Sequence, residues 1–342
     1  MTRVITFGEI MLRLKSPGFD RLFQSPFLEA TFGGGEANVA VSLANYGLDA
    51  AFVTCLPDND IGRACLRELR KFGVDTSLIQ FGPGRMGIYF LESGANQRPS
   101  KVIYDRDNSA VALAKPDQFD WEKIFAGAHW FHISGITPAI SQNAAENAIR
   151  SVKTARELGL KVSCDLNYRS KLWRYGKSAP EVMREIVQYV DVCIANEEDI
   201  QKSLGMEIDV SVETGELDLD KYRELAGRLL ETYANVELVA ITLRRSINAN
   251  QNHWSACACN RDKFLHSTEY AISDIVDRVG GGDSFAAGLI FGLNRYPALE
   301  EALEFAIAAS CLKHSINGDF NLVSISEVEQ LMKGNRSGRV QR

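Results

Sequence analysis

Asp277-Arg278-Val279-Gly280-Gly281-Gly282-Asp283-Ser284-Phe285, followed by Ala286-Ala287-Gly288, orders the rest of this 342-residue chain around itself. Three successive glycines leave a turn without side chains, so backbone N–H groups can converge on an anion. The apolar, alanine-rich segment behind them reads as a helix whose N-terminal partial positive charge points at the same place. Asp283 stands where the turn enters that helix. A carboxylate beside an anion site is repelled unless it handles a proton or a metal, so the pattern points to phosphate chemistry with Asp283 as a working group. Glycine-rich turns also open helices for structural reasons alone, and the acid is what tips the reading.

A second run, Phe32-Gly33-Gly34-Gly35-Glu36-Ala37-Asn38, leads into Val39-Ala-Val-Ser-Leu-Ala-Asn45 and ends at Gly47, a helix with a glycine cap. It has neither the G-x-G-x-x-G order of a dinucleotide loop nor the G-x-x-x-x-G-K-[S/T] order of a P-loop. Asn38, one turn in, offers a donor and an acceptor to whatever the glycines admit. A close helix–strand contact is the structural alternative.

The remaining chain alternates short apolar runs with helical patterns, which predicts an α/β protein with a mostly parallel sheet. The predicted strands begin at Val4–Gly8, Ala51–Cys55, Trp130–Ser134, Lys161–Asp165, Val190–Ala195 and Leu238–Thr242. Helices are expected from about 60 to 72 and over 141–158, 178–189, 220–233 and 298–313. Two segments break the rhythm. Residues 12–32 and the hairpin 84–107 read as strands of a small sheet that covers something. A polar connection over 244–252 and an antiparallel pair (253–259 and 263–270) precede the opening motif. Two strands empty into polar clusters, Asp165-Leu-Asn167-Tyr-Arg169 and Asn196-Glu-Glu-Asp199, where open parallel sheets bind ligands. The basic tail from Lys333 is expected to fray.

Composition agrees with a globular protein: 45% hydrophobic and 24% charged residues. A net charge of −6 supplies no general attraction to nucleic acid or membranes. No signal peptide or membrane span is expected, because Glu9, Arg13 and Lys15 interrupt the first apolar run. Seven cysteines in apolar patterns read as reduced thiols, hence a cytoplasmic protein. Cys257 and Cys259 alternate along one strand, so no metal cage is predicted there.

With both glycine runs, the Asn-x-x-acid cluster and the β insertions in place, the chain resembles the ribokinase-like (PfkB) carbohydrate kinases from about residue 3 to 332. Gly33-Gly34-Gly35-Glu36-Ala37-Asn38 is similar to the family's N-terminal signature, and Asp277-x-x-Gly-Gly-Gly-Asp283 to its C-terminal D-x-x-G-A-G-D. Within the family, Gly8-Glu9, Tyr104-Asp-Arg106-Asp-Asn-Ser-Ala110, His132-Ile-Ser-Gly-Ile-Thr-Pro138 and Asp165-Leu-Asn167-Tyr-Arg169 look most like the kinases of 2-keto-3-deoxygluconate. The resemblance implies one domain over 1–332, a three-layer α/β/α core and a small β-sheet lid.

It also implies ATP and Mg²⁺. Gly34, Gly35, Asn38, Tyr89, Tyr104, Arg106, Arg169, Asp283 and Asp319 would contact the sugar acid. Gly280, Gly281 and Gly282 would form the anion hole, with Asp283 as general base held ionised by its helix N-terminus. Asn167, Asn196, Thr242, Arg244, Gly280 and Gly282 would face ATP. Asn196 and Asp199 would organise Mg²⁺, through water because Asp is a methylene shorter than the family's usual Glu. Arginine forks at 106 and 169 suit a carboxylate.

Two departures stand out. Thr242-Leu-Arg244-Arg245 lacks the glycines of the family's nucleotide loop, and Arg278-Val279 replaces a Thr-Thr or Thr-Val pair, which bears on any monovalent cation site near Asp277. A neutral-sugar kinase of fructokinase or ribokinase type, and a non-catalytic sugar or nucleotide sensor on the same fold, remain as alternatives. An exposed edge of the lid sheet would suit a homodimer.

Overall fold

Val4-Ile5-Thr6-Phe7 is buried on both faces, as a strand covered by helices on either side must be. The computed structural model describes residues 2–206 and 218–335, the side chain of Glu197 excepted. In order they form β1 (Arg3–Phe7), β2 (Met11–Lys15), β3 (Glu29–Gly33), α1 (Gly35–Asn45), β4 (Asp49–Val53), β5 (Cys55–Pro57) and α2 (Asp60–Lys71). Strands β6 (Gln80–Gly82), β7 (Ile88–Glu92) and β8 (Lys101–Asp105) lead to α3 (Ala110–Leu113), α4 (Trp121–Ile124), β9 (Trp130–Ser134) and α5 (Gln142–Glu157). Then come β10 (Lys161–Asp165), α6 (Ala179–Val187), β11 (Val192–Asn196), α7 (Glu197–Leu204) and α8 (Leu219–Thr232). The last group is β12 (Leu238–Asn248), β13 (Gln251–Cys259), β14 (Phe264–His266), β15 (Tyr270–Ile272), α9 (Gly281–Arg295), α10 (Leu299–Lys313) and α11 (Ile325–Met332).

The main sheet runs β4-β1-β9-β10-β11-β12 in parallel, then adds β13 antiparallel, with β14 and β15 both pairing to β13. Period-two alternation splits each strand between two cores. Val239, Ile241 and Leu243 pack with residues of α5 to α8, whereas Leu238 and Ala240 pack with α1, α9, α10 and α11. This is a three-layer α/β/α architecture. Strand order reverses at β1, which has β4 on one side and β9 on the other, so a crevice opens beyond its C-terminal end. A separate four-stranded sheet, β3-β2-β7-β8, stands over that end.

Two sequence expectations need correction. The polar connection expected over 244–252 is largely strand. Strand β12 runs on to Asn248 and pairs with β13 from Val239↔Cys259 out to Asn248↔Gln251, because the antiparallel partner satisfies backbone groups that the polar side chains do not need to bury. The strand expected at 263–270 is two short pieces, β14 and β15, facing different parts of β13. Short α7 and α11 lie where no helix was predicted, each opened by a capping box, Asn196/Asp199 and Ser324/Glu327. Of the tail expected to fray, 336–342 lie outside the described residues. Among the described residues no helix is long and apolar enough to cross a membrane.

Candidate active site

Gly280 caps α9 with φ +83°, and Gly281 begins the helix, so Asp283 falls in its first turn. First-turn N–H groups have no carbonyl within their own helix. A side chain on Gly280 would overlap the Asp319 carbonyl, so only glycine lets the turn pass that close. On the other side, Gly34 caps α1, and a side chain there would overlap the Glu9 carbonyl.

Asn38 joins the two turns. Its Nδ2 donates to Asp283 Oδ2 at 2.6 Å, and its Oδ1 accepts the Gly34 N–H at 3.2 Å. Every residue named from the sequence for sugar, nucleotide or metal lines one cavity of about 470 Å³: Gly34, Gly35, Asn38, Tyr89, Tyr104, Arg106, Asn167, Arg169, Asn196, Asp199, Thr242, Arg244, Gly280, Gly281, Gly282, Asp283 and Asp319. The walls come from the C-terminal ends of β10 and β11, the middle of β12, part of β13 and the strands of the small sheet.

The electrostatics differ from expectation in one respect. The helix N-terminus was expected to hold Asp283 ionised. Although its carboxylate keeps a partial opening to the cavity, burial pushes it up to about 7, outweighing the Asn38 hydrogen bond, and Asp319 and Glu36 push the same way. Burial likewise raises Glu36, Asp165 and Asp199, four acids sharing one water-poor pocket. The predicted cations sit differently from one another. Arg106 is buried and ion-paired with Glu9, with Nε donating to Oε2 at 2.7 Å. Arg169 is exposed at the cavity, and its Nη1 donates to the Tyr168 carbonyl at 2.8 Å. Tyr89 is buried, its hydroxyl donating to Asp319 Oδ1 at 2.5 Å, while Tyr104 is half exposed beside it with ring centroids 6.0 Å apart.

A metal's donor set was tested on these residues. Asn196 Oδ1 accepts the Glu198 and Asp199 N–H groups, while Asp199 Oδ1 and Oδ2 accept those of Tyr168 and Asn196. Among the described residues no three metal-binding side chains gather. The oxygens of Asn196 and Asp199 that face the cavity are of the hard type that Mg²⁺ takes, and Asp165 lines the same wall.

Four functional neighbours were not read from the sequence as such: Glu9, Arg13, Glu36 and Asp165. Glu36 is fully enclosed, its Oε1 accepting Ser134 N–H and Oγ–H and Thr137 Oγ1–H at 2.6–2.9 Å. A signal existed for Arg13. In Met11-Leu-Arg-Leu-Lys15 the charged residues take the buried positions and the leucines the half-exposed ones, an inverted alternation.

A glycine turn whose acid is tied through an asparagine to a second glycine turn thus stands at the carboxyl edge of a doubly wound sheet. The chain belongs to the pfkB family of carbohydrate kinases, whose model matches residues 1–319. It is 34% identical over 335 residues to a 2-dehydro-3-deoxygalactonokinase of Haloferax volcanii, covering 98% of both chains. It is 28% identical to a 2-dehydro-3-deoxygluconokinase of Thermoproteus tenax, over 97% of this chain and 95% of that one. Among solved structures it is similar to the 2-dehydro-3-deoxygluconokinase of Thermotoga maritima, with TM-score 0.91, 49% identity, and 97% and 98% of the two chains covered.

Proposed function

We propose that this carbohydrate kinase transfers the γ-phosphoryl group of ATP to the 6-hydroxyl of 2-keto-3-deoxygluconate. The observation that carries the reading is the Asp283 carboxylate, poised near neutrality at the mouth of a three-glycine helix N-terminus. Asp283 takes the hydroxyl proton as the oxygen attacks the γ-phosphorus. The bond to the bridging oxygen breaks, ADP departs, and Asp283 later returns its proton to water. The Gly280, Gly281 and Gly282 N–H groups meet the charge on the phosphoryl oxygens, and Asn38 keeps the Asp283 carboxylate aimed. Asn167, Asn196, Thr242 and Arg244 face the nucleotide. Asn196 and Asp199, with Asp165 beside them, would hold Mg²⁺ through water, and the ion would supply charge neutralisation at the phosphates.

Arg169, exposed at the cavity and neutralised by no ion pair among the described residues, is the residue for the substrate carboxylate, joined by Tyr89 and Tyr104 on the sugar face. The 49% identity to the Thermotoga protein supports the gluconate over the galactonate epimer. One observation favours a neutral-sugar kinase instead: Glu9 already cancels the Arg106 charge. ADP release measured with both keto-deoxy acids, fructose and ribose decides. Fastest turnover on the gluconate-derived acid is expected. Faster turnover on fructose or ribose overturns the substrate while leaving the kinase, and no ADP release with any of them favours a sensor.

A further inference from the structure

Beneath the glycine turn lies a buried charge cluster that the reaction as drawn does not use. Arg13, 1% exposed, donates to Asp277 Oδ2 and, at 2.6 Å, to Asp319 Oδ1. The other Asp277 oxygen accepts the Val279 N–H at 3.0 Å, and the Gly318 N–H adds to Oδ2 at 3.2 Å. Lys313, at the end of α10, is 0% exposed. Its Nζ donates to the Ile316 carbonyl at 3.1 Å, and its Cε stands 3.3 Å from where a side chain on Gly280 would begin. Burial holds the Lys313 ammonium below its ordinary value, and Arg13 adds to that, while Asp277, Asp319 and Asp283 act against the fall.

The charges balance. Asp277 and Asp319 contribute two negatives, and Arg13 and Lys313 two positives; without the lysine a buried net negative charge would sit directly behind the phosphate turn. A monovalent cation near Asp277 would compete with partners already in place, since Oδ1 accepts the Val279 N–H, Oδ2 accepts Arg13 and the Gly318 N–H, and the Ile316 carbonyl accepts Lys313. We infer that Lys313, with Arg13, provides as side chains the positive charge that holds the Asp277 and Asp319 segments against the Gly280 turn, so that the enzyme turns over without a monovalent metal ion. Both are positioning residues. The inference rests on the kinase reading for its rate effect but not for its binding effect.

The test compares the wild-type full chain in tetramethylammonium, Na⁺ and K⁺ salts at one ionic strength. Turnover within about twofold across the three is expected, and K⁺ stimulation beyond about tenfold overturns the inference. Thermal melting supplies the readout that does not need turnover: a melting temperature equal in all three salts is expected, and a K⁺-specific rise, the mass-action mark of a bound ion, overturns it. If no sugar yields ADP, the kinase reading fails while the melting comparison still decides this one. Lys313→Met should lower kcat about tenfold or more with sugar KM little changed, and K⁺ or NH₄⁺ should restore part of it. A folded variant with wild-type turnover, or one that no small cation restores, overturns the role of Lys313. Should the variant fail to fold, the wild-type salt series decides alone.

Discussion

At Asp283 the environment works against the charge that the proposed general base needs, and both consequences are measurable. Asp283→Asn should lower kcat about 10²–10⁴-fold while sugar binding persists, measured by steady-state kinetics beside calorimetric titration. In the wild type, kcat/KM should rise with pH and level off above about 7 as the base ionises. Stability runs the other way. The folded carboxyl titrates near 7, against ~3.9 in an unfolded chain, so the native state holds the extra proton between those values. That contribution is complete below ~4 and is lost as pH rises through the folded value. Asp283→Asn should therefore stabilise the protein by about 1–3 kcal/mol at pH 8, discounted for the partly open carboxylate, and by nothing near pH 4. Thermal melts of both proteins across pH check this. Arg169→Ala should cost about 1.5–3 kcal/mol in kcat/KM for the acid sugar and little for fructose, the worth of hydrogen bonds to a charged partner. Equal losses on both substrates would move the carboxylate contact elsewhere.

Helix α9 shows how one element serves site and core together. Its cap and first two residues are glycine, and its later Gly288 and Gly292 let α10 approach until a Cβ would stand 2.8 and 2.7 Å from Ala306 and Ala302 Cα. Within the turn the three glycines are not equivalent. Gly280 has φ +83° and no room, whereas Gly282 has nothing within 4 Å of a would-be Cβ. Gly280→Ala should destabilise by about 3 kcal/mol or more, adding backbone strain to overlap, and Gly282→Ala by under about 1 kcal/mol. Chemical denaturation separates the two. Both should slow turnover if the turn binds phosphate. Strand β2 teaches a different lesson. Its apolar–polar alternation reads correctly as a strand but gives the wrong face, because the buried side pairs Arg13 with acids rather than packing leucine.

Among the described residues the small sheet ends at β3 and β8, with Ile103 exposed on β8 and Phe19, Phe23 and Phe27 exposed in the connection from β2 to β3. Unpaired edges beside exposed apolar rings favour a second copy of the chain, so a dimer through this sheet is the expected state. Light scattering after gel filtration should give twice the 37.9 kDa chain mass, and Ile103→Lys should shift it towards one. A monomeric wild type would reject the lid as the interface.

Much was legible locally. The glycine runs at 33–35 and 280–282, the strands that end in Asp165 and Asn196, and the hairpin of β7 and β8 all follow from backbone freedom and period-two patterns, which depend on neighbours in sequence. What joins them does not. Asn38 meets Asp283 across 245 residues, and Arg13 meets Asp277 across 264. No local pattern encodes either contact. The chain by itself determined most of the elements, the bare glycine turn and the acid beside it. Only tertiary packing decided that Glu9 would claim Arg106, that two buried cations would brace the turn, and that Asp283 would titrate near 7. Burial and long-range charge set those energies, and both exist only once distant segments have packed together.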